Sequence, residues 1–453
     1  MTPSQPAPSA ESTPLKKLRL GVYALLGVLS LGTFAWKLDD APFVDEYADI
    51  SQSYYADLLI EGRRQARAWL EAPAYDLVPL PKYLIGLALR ATGEPRPGPE
   101  AARAWYRDTS SRFGTPWTLT AARIPSVLLG AVGCVALAAI GATAFDRRVG
   151  VAAALLLMLN PLYALHAHRA MSEAPCEAFL LVALATFLVA WKRTLQNQAG
   201  WAAVQGLSLA AGAAVALSVL AKFNGLLALM TIPAWLLLAW ATMPNSGRGV
   251  RKLLAGGVTL ACTAAAGFLV LNPYMTARPA PPLSPEMQEI ADRGIASRFK
   301  LLIDHRRAMS AGQQEIFRHN ALTSLEERIK VVAAQGFGRF GPFGPAKSDS
   351  TIRYDVKQDW GAYGWLPLGL AGLGYAAAVG RLQRRSGEPP TAWAATAWAL
   401  ISLVVVTVYI PMAWDRYLLP IQAPFALMAA AALVGAWDAL KALRKPGAKP
   451  EPS

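Results

Sequence analysis

Charged side chains are scarce in this sequence. Asp, Glu, Lys and Arg make up 16% of the 453 residues, whereas 54% are hydrophobic, and soluble domains carry about a quarter of charged residues. Uncharged runs long enough to cross a bilayer recur along the whole chain. The scarcity of charge excludes an ordinary soluble domain and predicts an all-α fold, that of a polytopic helical membrane protein.

Cysteine is rare, and nucleotide-binding motifs are missing. Cys134, Cys176 and Cys262 lie in or beside apolar runs without CxxC spacing, as is typical of small buried hydrophobic residues. The sequence contains no P-loop and no GxGxxG between a strand and a helix. The net charge of +14 comes from basic residues in short loops between apolar runs, where they set membrane topology rather than bind nucleic acid.

Ten apolar runs are predicted to span the membrane. The first, 20–36, follows Lys16, Lys17 and Arg19 and ends without a small-x-small cleavage site, which favours an uncleaved anchor over a signal peptide. The apolar piece 79–89 is too short to cross. The remaining spans are expected at about 124–145, 149–165, 174–191, 200–221, 224–242, 253–275, 360–380, 391–411 and 417–437.

The distribution of basic residues fixes the expected orientation. If 79–89 does not cross, the basic loops between spans all face the cytoplasm, together with both termini, as the positive-inside rule requires. The protein is then expected in the cell membrane, with its unusual charged residues on the outer face. The predicted parts are a disordered cytoplasmic N-terminus (1–14), a transmembrane module (15–275) with a first outer loop (37–122), a helical outer-face segment (276–359), C-terminal transmembrane helices (360–437) and a basic cytoplasmic tail (438–453).

Two outer segments carry their own helical signals. Apolar residues recur at four-residue spacing from Glu46 to about Leu70, which predicts an amphipathic helix lying on the membrane surface. In 276–359, Ser284 followed by Pro285 predicts a helix start, and Thr323-Ser-Leu-Glu326 predicts a capping box. A folded segment above membrane-level charges is typical of a lid over a site.

Acids and bases at the ends of apolar runs are the candidate functional residues, because charge at membrane depth is costly. Asp45 and Glu46 follow the first span, and a helix cap at Asp45 is the alternative to a functional role. Arg123, at the start of a span, has either a functional role or the structural one of snorkelling to the membrane surface. Arg416 has either a functional role or that of an interface anchor. His166 and His168, with Glu173 nearby, are either interfacial residues or ligands of a metal.

Six motifs in order resemble the C-type glycosyltransferases, specifically the protein O-mannosyltransferase and aminoarabinose-transferase group. The motifs are Asp45-Glu46 with Ala48-Asp49-Ile50-Ser51, Pro79-Leu80-Pro81-Lys82-Tyr83-Leu84-Ile85, Arg123-Ile124-Pro125-Ser126, Arg169 with Glu173, Lys222-Phe223-Asn224-Gly225, and Arg416-Tyr417-Leu418-Leu419-Pro420. The chain departs from the group at Leu77-Val78-Pro79-Leu80-Pro81-Lys82, where many relatives read His-Pro-Pro-Leu-Gly-Lys. That departure puts the acceptor contacts of this loop in question.

The resemblance implies an enzyme that takes a sugar from a polyprenyl-phosphate donor to a lipid, cell-envelope glycan or protein acceptor at an external site. It implies Asp45 as general base or acceptor-orienting group, assisted by Glu173 and with Glu46 as a further catalytic candidate. Donor phosphate ligands are expected among Lys82, Lys222, Arg416, Arg123 and Arg169. Acceptor or metal contacts are expected at His166, His168 and Tyr83. No cofactor is required, although a divalent metal near Asp45 and Glu173 is conceivable.

The same chemistry follows from the residue types. Sugar transfer passes through an oxocarbenium-like state, the acceptor hydroxyl loses a proton to a carboxylate, and Lys or Arg stabilises the leaving phosphate. The alternative class is a polytopic transporter or a flippase for lipids or glycolipids. Transporters typically carry inverted repeats and charges at the bilayer midplane, whereas this sequence shows no repeat and gathers its charges at one face.

Overall fold

The computed structural model describes residues 13–36, 38–243, 247–336 and 365–444. These residues fold almost entirely as helices, and the described chain contains no strand beyond one isolated bridge between Ala321 and Met412. The all-α prediction is confirmed. Most of the predicted disordered N-terminus, the Gly-rich stretch 337–344 and residues 445–453 of the basic tail lie outside the described residues.

The α-helices are numbered here in chain order. They are α1 Thr13–Ala35, α2 Glu46–Ser51, α3 Tyr55–Ile60, α4 Ala72–Asp76, α5 Pro79–Ala91, α6 Pro99–Arg107, α7 Pro116–Ala144, α8 Arg147–Met158, α9 Pro161–Ala167, α10 Glu173–Leu195, α11 Trp201–Ala221, α12 Leu227–Thr242, α13 Gly247–Leu271, α14 Pro285–Asp292, α15 Ile295–Ile316, α16 Leu325–Gln335, α17 Trp365–Arg385, α18 Thr391–Tyr409 and α19 Gln422–Leu443. Short 3₁₀ turns cover Arg67–Leu70, Phe223–Leu226, Pro273–Met275, Arg318–Asn320 and Asp415–Ile421.

The protein is a multi-pass membrane protein. Seven helices of the described chain are long and apolar enough to cross a bilayer. They are Pro116–Ala144, Glu173–Leu195, Trp201–Ala221, Phe223–Thr242, Gly247–Leu271, Thr391–Tyr409 and Asp415–Leu443. The expected span 20–36 corresponds to an apolar helix Leu20–Ala35 below that length, and the expected span 360–380 begins outside the described residues. The count of ten therefore stays a prediction.

The span expected at 149–165 is not one straight helix. It is bent by 69° between α8 and α9. Pro161 opens α9, and the Asn160 side chain accepts a hydrogen bond from the Tyr163 amide at 2.9 Å. An Asn cap followed by Pro starts a new helix, because Pro has no amide hydrogen to continue the old one. With α8 and α9 taken together, the described chain has eight candidate spans.

The most enclosed spans are the two whose ends carry the candidate residues Glu173 and Arg416. In Glu173–Leu195 and Asp415–Leu443, 72% and 78% of the apolar window is buried, against 28% in Gly247–Leu271. Buried indoles tie the bundle together: Trp191 donates to the Trp235 carbonyl at 2.9 Å, and Trp235 donates to the Ala394 carbonyl at 2.7 Å. Away from water such polar groups need a partner inside the protein.

The amphipathic surface helix predicted from Glu46 to Leu70 is wrong. The segment forms α2, α3 and a 3₁₀ turn, and Gly62 breaks it with φ +67°, a left-handed conformation that glycine adopts without steric cost. Its apolar residues are buried in the protein rather than laid on lipid. Ile50 and Tyr55 are fully buried, and the Tyr55 ring packs at a tilt against that of Trp69, with ring centres 4.9 Å apart.

The segment after α13 is helical over its described residues, as predicted. Ser284 caps α14 by accepting from the Met287 amide, with Pro285 in the first turn. The capping box lies one residue later than predicted, at Ser324 and Glu327, where the Glu327 carboxylate also accepts from the Thr323 amide. Of this segment, α14 to α16 belong to the described residues.

Candidate active site

A cavity of about 180 Å³ opens where the loop between α1 and α7, the start of α10, the end of α11 and the helix α15 meet. Its walls come from parts of the chain more than 350 residues apart in sequence. The polar side chains that line it are Asp45, Asp49, Asp76, Trp105, Ser172, Glu173, Lys222, Asn224, Arg306, Ser310, Gln313, Tyr409, Arg416 and Tyr417. Four carboxylates and three basic side chains thus share one small volume.

Asp45 is paired with Arg416 across the cavity wall. Nη1 of Arg416 donates to Oδ2 of Asp45, and the guanidinium lies over the rings of Trp414 and Tyr417, 4.7 and 5.8 Å from their centres. Aromatic faces stabilise a cation in this way. In the described structure the Asp45 side chain makes no capping bond to α2, so the helix-cap interpretation of Asp45 is wrong.

Glu173 and Lys222 form the second ion pair of the cavity. Lys222 Nζ donates to Glu173 Oε1 at 2.7 Å. Lys222 stands directly after α11, where the backbone turns extended, and Glu173 opens α10. The Glu173 side chain is 3% exposed and that of Lys222 is 20% exposed. Lys222 is therefore the more accessible member of the pair.

Glu46 and Arg123, predicted as site residues, form a buried ion pair away from the cavity lining. Nε and Nη2 of Arg123 each donate to one Glu46 oxygen at 2.7 Å, and both side chains are at most 1% exposed. Glu46 also accepts from the amides of Phe43 and Ala170 at 2.8 Å. Neither side chain lines the cavity. These four hydrogen bonds hold the loop after α1 onto α7 and onto the turn before α10.

Lys82 and Tyr83 also lie behind the cavity. Lys82 Nζ donates to the Pro73 carbonyl and sits 4.9 Å above the Tyr55 ring. Burial lowers the pKa of Lys82 to about 7. Lys82 is therefore less suited than Lys222 or Arg416 to bind a phosphate, which requires a charged ligand. The Tyr83 hydroxyl donates to the Leu271 carbonyl at 3.0 Å. Both residues fasten α5 to its neighbours.

His166, His168 and Arg169 do not line the cavity either. His166 Nε2 faces Asp415 Oδ1, and His168 Nε2 faces Asp40 Oδ2, each at 3.4 Å. The Arg169 guanidinium lies 4.4 Å from the centre of the Phe43 ring. The two histidines therefore face different acids, and neither is paired with Glu173.

The divalent metal considered near Asp45 and Glu173 stays a prediction. Among the described residues no three His, Cys, Asp or Glu side chains form a group that could hold one. The carboxylates of Asp45 and Glu173 are each engaged by a cation of the protein itself, and a divalent ion would have to displace both. We derive no step through a metal.

Several cavity residues were not among the predicted site residues. Asp49 lies four residues after Asp45, a spacing that puts two side chains on one helix face, and this signal was available in the sequence. No comparable spacing in the sequence pointed to Asp76, Trp105, Arg306 or Tyr417. They reach the cavity only because α4, α6, α15 and the turn after Trp414 fold over it.

The two additional acids differ in electrostatic environment. Burial raises the pKa of Asp49 to about 8, and the Lys82 charge only partly opposes this. Burial also acts on Asp76, but hydrogen bonds with His305 and Tyr106 and the charge of Arg306 hold the pKa of Asp76 below its usual value. Asp76 is a structural anion that fastens α15 to α4, whereas Asp49 has no such support.

The helices of the described chain fold like those of solved membrane oligosaccharyltransferases and of ArnT. The model of one family, described as dolichyl-phosphate-mannose-protein mannosyltransferase, matches residues 111–269. This match contains Glu173 and Lys222 and ends before Arg416. The likeness to the superfamily predicted from the motifs is confirmed at the level of the fold and of this matched region.

Three solved structures show the likeness in detail. The apo oligosaccharyltransferase of Archaeoglobus fulgidus superposes with a TM-score of 0.57 at 17% identity, over 98% of this chain and 54% of that one. The oligosaccharyltransferase AglB from the same organism, in complex with an inhibitory peptide and a dolichol-phosphate, gives 0.54 at 15% identity, over 97% and 53%. ArnT from Cupriavidus metallidurans bound to undecaprenyl phosphate gives 0.51 at 17% identity, over 92% and 62%.

The chain is thus aligned over nearly its whole length, but it spans only about half to three-fifths of the length of these proteins. No curated protein matches the sequence.

Proposed function

We propose that the protein is a membrane-embedded glycosyltransferase that takes a sugar from a polyprenyl-phosphate donor to a hydroxyl of a lipid, cell-envelope glycan or protein. The observation that carries this proposal is the pair of ion pairs in one cavity, Asp45 with Arg416 and Glu173 with Lys222. Two cations suit a lipid phosphate, and two carboxylates suit a hydroxyl acceptor. The similar structures titled with dolichol-phosphate and undecaprenyl phosphate support the same donor class.

In this proposal the donor exchanges partners with the protein. A phosphate entering the cavity competes with Asp45 for Arg416 and with Glu173 for Lys222, since both cations already hold an anion. Charge-assisted hydrogen bonds to phosphate are strong, and arginine can make two of them. Asp45 is then released from Arg416 only when donor is present, and the free carboxylate is available to the acceptor.

The transfer step needs no further group. The acceptor oxygen attacks the anomeric carbon while the bond from that carbon to the phosphate oxygen breaks, through an oxocarbenium-like state. The acceptor proton passes to the Asp45 carboxylate. The additional negative charge on the leaving polyprenyl phosphate is stabilised by Arg416 and Lys222. Glu173 keeps Lys222 in position, so both members of each pair have a role.

The proposed orientation places this cavity on the outer face of the cell membrane, with both termini in the cytoplasm. Support comes from the opposite end of the bundle, where Arg148 pairs with Asp438 at 2.7 Å and Lys192 donates to the Thr143 carbonyl at 2.8 Å. Basic loop residues and the cavity acids therefore lie at opposite ends of the spans. By the positive-inside rule the basic end faces the cytoplasm.

Comparative mass spectrometry of lipids and envelope glycans tests the function. A strain lacking the gene should lose one sugar from one class of molecule and accumulate the unmodified acceptor. A plasmid copy of the wild type should restore the sugar, and an Asp45→Asn copy should not. A strain whose glycans and glycolipids keep every sugar, but whose lipid-linked sugar is found on the wrong side of the membrane, would support a flippase and remove the proposal.

A further inference from the structure

Within the described residues, three of the four acids lining the cavity form an ion pair with a basic side chain, and the fourth forms none. The three pairs are Asp45 with Arg416, Glu173 with Lys222, and Asp76 with Arg306. The fourth acid is Asp49, on the inner face of α2. A buried carboxyl oxygen without a hydrogen-bond partner carries an unmet desolvation cost. Such a group in a cavity is a candidate for binding whatever enters it.

Asp49 is 5% exposed, and within the described part of the chain its Oδ1 has no hydrogen-bond partner. Lys82 is the cation with the strongest influence on it, but the Lys82 ammonium donates to the Pro73 carbonyl instead. Asp49 also feels the charges of Glu173, Asp45 and Asp76. It is therefore close to the reacting part of the cavity without being tied to any of these groups.

A second unpartnered group lies on the same cavity. The indole Nε1 of Trp105, on α6, is buried and donates to no acceptor among the described residues. An indole N–H is a donor only, and a carboxyl oxygen is an acceptor. The two groups are thus complementary to a ligand that offers both a donor and an acceptor, as a hydroxyl does.

We infer that Asp49 and Trp105 form the subsite for the sugar of the donor, each hydrogen-bonded to a sugar hydroxyl. This inference rests on the proposed function. The sugar is covalently attached to the phosphate, so it must occupy the part of this small cavity next to Arg416 and Lys222. A phosphate itself is repelled from Asp49, because Asp45, Asp76 and Glu173 already surround that carboxyl with negative charge.

The electrostatic environment fits a neutral ligand. Burial raises the pKa of Asp49 above its ordinary value and thereby favours the protonated carboxyl, which both donates and accepts a hydrogen bond. A protonated carboxyl matches a hydroxyl better than it matches an ammonium group. The amide of Asn has the same capacity and nearly the same shape, which makes Asp49→Asn the conservative variant and Asp49→Leu the disruptive one.

Competition binding measures the contribution of the sugar directly. A fluorescent undecaprenyl phosphate is displaced from the purified full-length protein by undecaprenyl phosphate, either bare or carrying mannose, glucose, galactose or 4-amino-4-deoxyarabinose. For the wild type, one of the sugar-bearing lipids should bind more tightly than the bare lipid. In Asp49→Leu this preference should fall roughly fivefold to tenfold, the loss of about one buried hydrogen bond. Asp49→Asn should keep most of it.

The controls separate this inference from the proposed function. Asp39→Leu changes an exposed acid that does not line the cavity and should leave all affinities unchanged, and Trp105→Phe should weaken only the sugar-bearing lipid. Bare undecaprenyl phosphate should bind equally to every Asp49 variant, which also shows that each variant is folded. A wild-type preference that survives Asp49→Leu, or no gain from any sugar, would overturn the inference. No binding of bare lipid phosphate to the wild type would instead overturn the proposed function.

Discussion

Asp45 and Glu46 are neighbours in the chain and have opposite environments. Successive residues of a helix point about 100° apart, and here one carboxylate turns to the cavity while the other turns into the protein. Glu46 accepts four hydrogen bonds, from Arg123 twice and from two amides. Asp45 is held by one pair with Arg416. A group that must exchange partners during a reaction needs few bonds, and a group that organises a loop needs many.

Removing Glu46 should cost stability rather than catalysis. Glu46→Ala leaves the Arg123 guanidinium buried without its counter-charge, and breaking a buried pair costs about 3–5 kcal/mol. Thermal unfolding in detergent should show a large drop in midpoint, whereas turnover per folded molecule should stay within about threefold of wild type. A stable Glu46→Ala protein with lost turnover would give Glu46 the catalytic role predicted from the sequence.

The stability of the protein should carry a pH signature of Asp49. Its folded pKa of about 8 lies above the ordinary value of 3.8, so the wild type binds a proton on folding at intermediate pH. Its stability contribution is complete below the ordinary pKa and is lost as the pH rises through 8. Asp49→Asn removes this loss. The unfolding midpoint of Asp49→Asn relative to wild type should therefore rise between pH 5 and pH 8, and a constant difference would show that Asp49 is ionised throughout.

At the level of elements, the segment between α13 and α16 supplies one wall of the cavity. Met309, Ser310 and Gln313 on α15 line it, and α15 is held by Arg298. This buried guanidinium donates to the carbonyls of Tyr274, Ala277, Ala291 and Arg293. One side chain thus joins α15 to the turn after α13 and to α14.

Arg298→Met should loosen this segment selectively. Methionine keeps most of the apolar stem but leaves four carbonyls without that donor, each costing about 1–3 kcal/mol if it stays buried. Limited proteolysis should cut between α13 and α16 much faster than in wild type, while the spans stay intact. Arg307→Met is the matched control, because Arg307 is exposed and does not line the cavity. Equal protection of both variants would mean that Arg298 does not hold the segment.

The elements also show which features a sequence predicts well. Pro285 after Ser284, and the apolar runs of the long spans, act through local backbone chemistry and were predicted within a few residues. The stretch 46–70 was predicted wrongly. Its four-residue spacing of apolar residues is compatible both with one surface helix and with short helices buried under α5. Gly86 permits that burial: a side chain there would collide with the Ser53 carbonyl and with Ala56. Only the packing partner distinguishes the two outcomes.

For the whole molecule, the sequence predicted which residues gather at one end but not their pairing. Positive-inside reasoning brought Asp45, Glu173, Lys222 and Arg416 to one face, and the structure brings them into one cavity. The same reasoning brought Arg123 there, yet its side chain is buried in a structural pair. Pairing depends on side-chain direction and on contacts 49 to 371 residues apart, which periodicity and local motifs do not contain.

The orientation of the whole molecule is directly accessible to labelling. Ser310 lies on α15 at the cavity, so Ser310→Cys should react with a membrane-impermeant thiol reagent in intact cells, provided that the exposed Cys262 is first changed to Ser. Cys134 and Cys176 are buried and should stay silent in the parent. Reaction only after lysis would reverse the proposed topology.

The central claim is that Asp45 removes the acceptor proton once donor phosphate has taken Arg416. The most direct measurement is sugar transfer by purified Asp45→Asn at saturating donor, with binding of undecaprenyl phosphate measured alongside and Asp39→Asn, an exposed acid of the same loop, as the control. Asn keeps the shape but accepts no proton, so kcat should fall about 10²–10⁴-fold. Lipid phosphate should bind as tightly as to wild type or more tightly, because Arg416 is freed. Near-normal turnover by Asp45→Asn would contradict the account.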